Sequence, residues 1–193
     1  LHPLFMPTYG MILYMMIMQN RLSNLPSLYI WLSIIGTSIL TAIIPISLIF
    51  ILLKKGQIDS LHIENSKQRT TPYIYTLICF CFWCYFLRVT MHLPHIWLFI
   101  AIGATIALAI VMLINHWWKI SAHLTGMGGL LGGICSMALF YTMLPSALII
   151  SVLIISLLLM YARLYTNAHT PMQVVCGYLL GILCTFIPNL IIY

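Results

Sequence analysis

Long apolar runs separated by short polar stretches fill most of the chain. Seven such runs can be traced, at residues 5–18, 28–53, 72–87, 96–114, 120–141, 147–161 and 172–192. A helix needs roughly 20 apolar residues to cross a bilayer core about 30 Å thick. The strands of a membrane barrel would instead alternate apolar and polar residues, which these runs do not. The pattern predicts an all-α, polytopic membrane helix bundle with six core transmembrane helices.

The first run, residues 5–18, is shorter than the others and contains Pro7. It adds a short N-terminal apolar segment to the six core helices. Spanning the membrane, re-entering it and lying at its surface all remain open for this segment. The runs at 72–87 and 147–161 are also short, so their helices must extend beyond these limits to cross a bilayer.

Composition agrees with a membrane location. Of 193 residues, 63% are hydrophobic and 5% are charged, and the mean hydropathy is +1.09. Soluble domains carry roughly 25% charged residues, so this chain lacks the polar surface of a soluble protein. Eight Lys and Arg residues against two acids give a formal charge of +6. With so few charges, the excess does not predict a nucleic-acid partner.

Glycine pairs at four-residue spacing mark two of the predicted helices. They are Gly128 with Gly132, Gly129 with Gly133, and Gly177 with Gly181. This spacing puts both glycines on one helix face and lets two backbones approach closely. General tolerance of glycine in membrane helices explains a single pair equally well. Together, the pairs predict a tightly packed centre between the fifth and the last helix.

The polar residues fall in three clusters, at residues 54–71, 116–123 and 163–169. Two predicted helices separate the first cluster from the second, and two more separate the second from the third. An even number of crossings returns the chain to the same side of the membrane. We therefore expect all three clusters to face one side, whether or not residues 5–18 span.

Basic residues and histidines predominate in these clusters, and this combination suits an anionic ligand. Arg and Lys hold phosphate oxygens, and histidine acts as a nucleophile or general acid near neutral pH. Lys54 and Lys55 are better explained as flanking residues that reach the membrane surface. The isolated histidines His2, His92 and His95 receive no functional interpretation.

A motif pattern emerges from the three clusters. Ser121-x-His123 precedes Arg163-x5-His169, and Arg69 lies upstream. The chain thereby resembles the type 2 phosphatidic acid phosphatase superfamily, the membrane lipid phosphatases related to vanadium haloperoxidases. Its motifs read Lys-x6-Arg-Pro, Pro-Ser-Gly-His and Ser-Arg-x5-His-x3-Asp. The resemblance covers a phosphatase-like core at approximately residues 54–193, within a single transmembrane domain of residues 1–193, and the segment order matches the six-helix architecture of the family.

The resemblance also implies a role for each matching residue. His169 would attack phosphorus and form a phosphohistidine, and His123 would protonate the leaving oxygen. The equatorial phosphate oxygens, which remain charged through the transition state, would be held by Arg163, Arg69 and Ser121. Lys119, four residues before His123, is a candidate to replace the missing motif lysine. Lys67 is a further phosphate-binding candidate.

The chain departs from the family pattern at several positions. Gln173 replaces the motif aspartate, and His62 occupies the slot of the motif lysine. On a helix, Gln173 at i+4 can reach the ring of His169 and fix its tautomer, so it joins the catalytic candidates, but it brings no charge. The proline, glycine and serine of the motifs are replaced by Ile120, Ala122 and Ala162.

We therefore expect a metal-independent phosphatase that hydrolyses a lipid phosphate or pyrophosphate, with membrane lipids around it and no cofactor. Two acids in the chain cannot supply a Mg²⁺ or two-metal site. Two alternatives remain. The first is a catalytically impaired lipid-phosphate binder on the same fold. The second is a small transporter with a basic vestibule, which would need polar residues along a pathway through mid-membrane.

The two indications of orientation disagree. Six of the eight basic residues fall on the side of the clusters and two on the other side. The positive-inside rule would make the cluster side cytoplasmic. Removing the four basic residues assigned to phosphate leaves two against two. The resemblance implies a bacterial inner membrane protein whose site faces the periplasm.

Overall fold

The computed structural model describes residues 2–19, 26–58, 66–140 and 146–192. Every regular element in these ranges is helical. The helices are α1 (Met6–Gln19), α2 (Ser27–Lys54), α3 (Ser66–Tyr85), α4 (His95–Ile114), α5 (Ala122–Phe140), α6 (Ser146–Tyr165) and α7 (Pro171–Ile192). A 3₁₀ turn at Pro3–Phe5 precedes α1, and a π-helical turn at Phe86–Thr90 continues α3.

Within the described ranges, six helices, α2 to α7, are long and apolar enough to cross a membrane. The predicted all-α bundle with a short N-terminal apolar helix is confirmed, and the chain is an integral membrane protein. The helices that contain the two short apolar runs, 72–87 and 147–161, extend beyond the limits of those runs, as expected for helices that cross a bilayer. The third helix begins at Ser66 rather than 72, and the sixth continues to Tyr165 rather than 161.

The outside of the bundle is largely apolar, and several hydroxyl groups are buried inside it. Large side chains such as Leu157, Leu158 and Ile191 are exposed on its surface, where acyl chains would cover them. Several buried hydroxyls bond to carbonyls of their own helices, as Thr41 Oγ1 does to Thr37 O at 2.9 Å. Since no water is available in a bilayer core, such internal pairing is what a membrane helix requires.

Helices α5 and α7 pack backbone against backbone. A Cβ atom at Gly128 would overlap the carbonyl of Tyr178, and one at Gly181 would overlap the carbonyl of Thr125. The absence of side chains at these positions is therefore what lets the helices approach. The predicted close packing of the two glycine-bearing helices is confirmed.

The short helix α1 lies inside the bundle. At its beginning, the ring of His2 is 5.8 Å from that of His123 at the start of α5. Near its other end, Tyr14 stacks on Trp97 at the start of α4, with centroids 5.0 Å apart. Met11 and Tyr14 are almost fully buried. The short N-terminal apolar segment is thus a helix packed among the core helices.

Candidate functional site

An internal cavity of about 710 Å³ opens at the end of the bundle where the polar clusters meet. Its mouth is lined by side chains from the residues before α1, from α3 and α5, from the end of α6, and from the two loops that precede α5 and α7. These side chains are His2, Arg69, Lys119, His123, Arg163 and His169. Residues from all three sequence clusters thus converge at one end of the cavity.

The loop between α6 and α7 is shaped by the way in which α6 ends. Ala168 N donates to Arg163 O at 3.2 Å, and Asn167 N donates to Leu164 O at 3.0 Å. These two bonds form a Schellman motif, which needs a left-handed residue after the helix. Asn167 supplies it with a φ of 51°. The motif reverses the chain after the end of α6 at Tyr165 and brings His169 back to the mouth.

Helix α7 begins with a reciprocal cap. Thr170 N donates to Gln173 Oε1 at 3.1 Å, and Gln173 N approaches Thr170 Oγ1 at 3.5 Å. This is the capping box of a Thr-x-x-Gln sequence, with Pro171 at the first helical position, where its missing N–H costs nothing. The side chain of Gln173 is therefore held in one orientation by the backbone of its own helix.

The protonation of the His169 ring follows from its neighbours. Nδ1 lies 3.1 Å from Lys119 O and 3.2 Å from Gln173 Oε1. A carbonyl can only accept, and the oxygen of Gln173 is identified by the bond from Thr170 N–H, so both partners are acceptors. Nδ1 must carry the hydrogen, which leaves the lone pair of Nε2 available for attack.

Burial lowers the pKa of His169 from its usual 6.5, and the charges of Lys119 and Arg163 act in the same direction. The hydrogen bonds to Gln173 and to Lys119 O partly oppose this shift. Above the usual pKa the ring is therefore neutral. A neutral ring with a fixed tautomer is the form in which histidine is a nucleophile.

The second mouth histidine, His123, stands at the start of α5 and meets the ring of His2 edge-on. Burial lowers the pKa of His2, and the charge of Arg163 adds to the effect. The sequence interpretation gave His2 no function, and the structure places its ring against His123 at the mouth. Only tertiary packing of α1 against α5 reveals this, because His2 stands far from the motif residues in the chain.

The three cationic side chains at the mouth differ in their hydrogen bonding and in their burial. Arg69 Nη1 donates to Oδ1 of the buried Asn115 at 2.9 Å. Arg163 is half-buried at the end of α6, while Lys119 is exposed. Sequence reasoning did not single out Asn115. Its only signal was a polar residue directly after the apolar run 96–114.

No family model matches the chain, and no curated protein or solved structure matches it. The likeness to lipid phosphatases thus stands on the residues and spacings of the motif pattern alone.

Two of the candidate residues, Ser121 and Gln173, do not line the cavity, and the side chain of a third, Lys67, is outside the part of the chain that the structure describes. Ser121 is fully buried, its Oγ has no hydrogen-bond partner, and its N–H donates to Gln173 O at 3.2 Å. It does not line the cavity, and neither does Gln173. The side chain of Lys67, like residues 59–65 with His62 and both acids, lies outside the described part of the chain.

A second cavity of about 570 Å³ adjoins the first, and Lys119, Asn167, Ala168 and His169 line both. Its remaining walls are Leu164, Thr170, Pro171 and Gln173. Half of its lining residues are exposed and none is fully buried, so this cavity lies toward the outside of the bundle. In the described ranges, no group of three or more His, Cys, Asp or Glu residues is arranged to hold a metal ion.

Proposed function

We propose that the chain is a divergent member of the type 2 phosphatidic acid phosphatase superfamily and hydrolyses a lipid phosphate or pyrophosphate. One observation carries the proposal: His169 and His123 line the same cavity mouth as Arg69, Arg163 and Lys119. Two histidines and three cations suit a phosphoryl group, and the apolar interior behind them suits a lipid tail.

In the first step, the Nε2 lone pair of His169 attacks phosphorus and the bond from phosphorus to the lipid oxygen breaks. His123, whose protonated form is favoured by the negative charge of the bound phosphate, delivers a proton to that oxygen. The lipid then leaves as an alcohol, or as a monophosphate if the substrate is a pyrophosphate. Charge on the equatorial oxygens is stabilised by Arg69, Arg163 and Lys119. Preorganised cations of this kind supply much of the catalysis in phosphoryl transfer.

In the second step, water attacks the phosphohistidine and the bond from phosphorus to Nε2 breaks. His123, now neutral, accepts a proton from the water, and inorganic phosphate is released. Hydrogen bonds from Nδ1 to Lys119 O and Gln173 Oε1 keep Nε2 as the reactive atom in both steps. Ser121 acts in this scheme by shaping the start of α5, because its buried side chain does not line the mouth.

The same fold supports a second candidate, a lipid-phosphate binder that has lost catalysis. The observation that favours it is the neutral Gln173 beside His169, where the family motif carries an aspartate. An amide fixes the tautomer but does not stabilise the positive charge that develops on the ring.

A phosphate-release assay tests the proposal. The purified protein is incubated with a panel of lipid phosphates and pyrophosphates, and inorganic phosphate is measured. His169→Ala should abolish release while still binding the substrates. His95→Ala, on the opposite end of the bundle, is the matched control and should leave release unchanged. Binding without any release by the parent protein would favour the second candidate.

We place the protein, by its resemblance to the family, in a bacterial inner membrane with the mouth toward the periplasm. Labelling intact cells with a membrane-impermeant lysine reagent tests this, since Lys119 is exposed at the mouth. Labelling of Lys119 only after the cells are broken would put the mouth on the cytoplasmic side.

A further inference from the structure

The cavity reaches far below its polar mouth. On α3 the lining residues run from Arg69 to Trp83, and on α5 from His123 to Met137. Each pair is 14 residues apart, which corresponds to about 21 Å at a rise of 1.5 Å per residue. Two independent helices therefore give the same depth, most of the thickness of a bilayer core.

The polar side chains along this depth are largely turned to their own helices. Thr76 Oγ1 donates to Pro72 O, Thr125 Oγ1 to Ser121 O, and Thr185 Oγ1 to Gly181 O, at 2.8 to 3.0 Å. Since each hydroxyl hydrogen is already engaged, these residues offer chiefly their methyl groups to the cavity. Phe80 and Leu108 complete walls that suit a hydrocarbon.

The volume limits how much hydrocarbon can enter. At about 30 Å³ per heavy atom, the share of a water molecule in the liquid, 710 Å³ holds roughly 24 heavy atoms. One tail of about 16 carbons with its phosphate has roughly 21 heavy atoms, whereas a two-tailed lipid has about twice as many. An extended chain advances about 1.3 Å per carbon, from bonds of about 1.5 Å at the tetrahedral angle, so 16 carbons also match the depth.

We propose that the cavity selects single-tailed lipid phosphates with tails of about 16 carbons and takes the whole tail inside the bundle. The floor formed by Trp83, Trp97 and Met137 sets the upper length, and α1 closes the side. This inference rests on the proposed function for its head group, but the tail specificity is a property of binding and is measured without catalysis.

The test uses n-alkyl phosphates of 8 to 20 carbons, with binding to the His169→Ala protein measured at one detergent concentration. The hexadecyl phosphate should bind best, and the 20-carbon compound should bind at least tenfold more weakly. Dihexadecanoyl phosphatidic acid should bind at least tenfold more weakly than hexadecyl phosphate, because its second tail has no room.

Ala104 and Gly133 allow the cavity to be filled from opposite walls at one depth. Ala104 lies ten residues from Ile114 on α4, and Gly133 lies ten residues from His123 on α5. Ten residues correspond to a depth of about 15 Å below the mouth. With Ala104→Phe, binding of the 16-carbon tail should fall at least tenfold while that of the 10-carbon tail changes less than threefold. Gly133→Val, whose Cβ meets only the Ile100 side chain, should do the same if Ala104→Phe fails to fold.

Ala109→Phe is the matched control, because Ala109 is on the same helix and does not line the cavity. It should leave the length profile unchanged. Equal binding of all tail lengths, or of one-tailed and two-tailed phosphates, would overturn the proposal. Length-dependent binding without phosphate release by the parent protein would support it while removing the phosphatase activity.

Discussion

The ring of His169 and the side-chain amide of Gln173 are joined by a hydrogen bond of 3.2 Å from Nδ1–H to Oε1. The same oxygen accepts the N–H of Thr170 and so completes the cap of α7. Gln173 is thus both a helix cap and an orienting partner of the proposed nucleophile. Any substitution at this position changes two interactions, and experiments must separate them.

Gln173→Asp should increase the rate of phosphoenzyme formation about ten- to a hundredfold. A charge-assisted hydrogen bond is worth about 1.5–3 kcal/mol, and each 1.4 kcal/mol is about tenfold in rate. An anionic acceptor would stabilise the positive charge that develops on the ring, while Lys119 O still holds Nδ1. Rapid-quench measurement of the phosphohistidine gives the rate.

Gln173→Ala is the companion variant, and it also loses the hydrogen bond from Thr170 N–H, at a cost of about 1 kcal/mol in the free energy of unfolding. Unfolding of all three proteins must therefore be compared. If Asp reacts no faster than Ala at equal stability, Gln173 does not orient the nucleophile.

The acid limb of kcat/KM should lie below pH 6.5. Burial lowers the pKa of His169, so the ring stays neutral and nucleophilic as the pH falls through 6.5. Activity is lost only at a lower pH, where the ring becomes protonated. The hydrogen bond that Nδ1–H of His169 donates to Gln173 Oε1 raises this pKa, so Gln173→Ala should move the limb to still lower pH. Comparing the two proteins on one substrate cancels the ionisation of the substrate itself. A shift of the limb toward higher pH in Gln173→Ala would contradict this assignment.

His2→Ala should reduce kcat up to about tenfold. The ring of His2 meets that of His123 edge-on at 5.8 Å, and such a pair is worth about 0.5–1.5 kcal/mol. His2→Phe keeps the ring packing and should restore most of the rate. A kcat for His2→Ala equal to that of the His95→Ala control would mean that His2 does not position the proton donor.

Gly128→Ala should destabilise the protein by about 1–3 kcal/mol, the usual cost of overpacking. Its Cβ would overlap the carbonyl of Tyr178 on α7. A backbone carbonyl, unlike a flexible side chain, cannot relieve the overlap by changing its rotamer. Gly129→Ala is the matched control, since its Cβ would make an ordinary contact of 3.5 Å with Thr185. Unfolding in mixed micelles measures both, and equal stabilities would show that the α5–α7 contact is looser than described.

Phosphate release should continue in EDTA. The chain contains only two acids, too few carboxylates for a Mg²⁺ or two-metal centre. The measurement compares rates with and without the chelator. Activity that is lost in EDTA and restored by Mg²⁺ would require a different chemistry.

Much of the architecture could be predicted from periodicity and parity. The apolar runs gave the six spanning helices, because length in a bilayer leaves few alternatives. The glycine spacing predicted which two helices pack closely. Counting crossings predicted that Arg69, His123 and His169 would face one side, and they line one cavity mouth.

Other features depend on packing that no local pattern encodes. His2 meets His123 only because α1 inserts into the bundle, and a run as short as residues 5–18 has several equally good placements. The burial of Ser121 away from the cavity follows from how α5 meets α7. The cap formed by Thr170 and Gln173 was readable as a Thr-x-x-Gln sequence, but the resemblance to a catalytic motif drew attention to Gln173 for another reason.

The position of His169 between two cavities has a consequence for reversibility. The lipid alcohol would remain on the bundle side, in the 710 Å³ cavity, while phosphate would depart through the 570 Å³ cavity, half of whose lining residues are exposed. Once the products separate into membrane and water, they no longer meet at Nε2 at comparable concentrations. Dilution of the two products into different phases would then drive turnover forward even if the equilibrium constant of the chemical step itself is close to one.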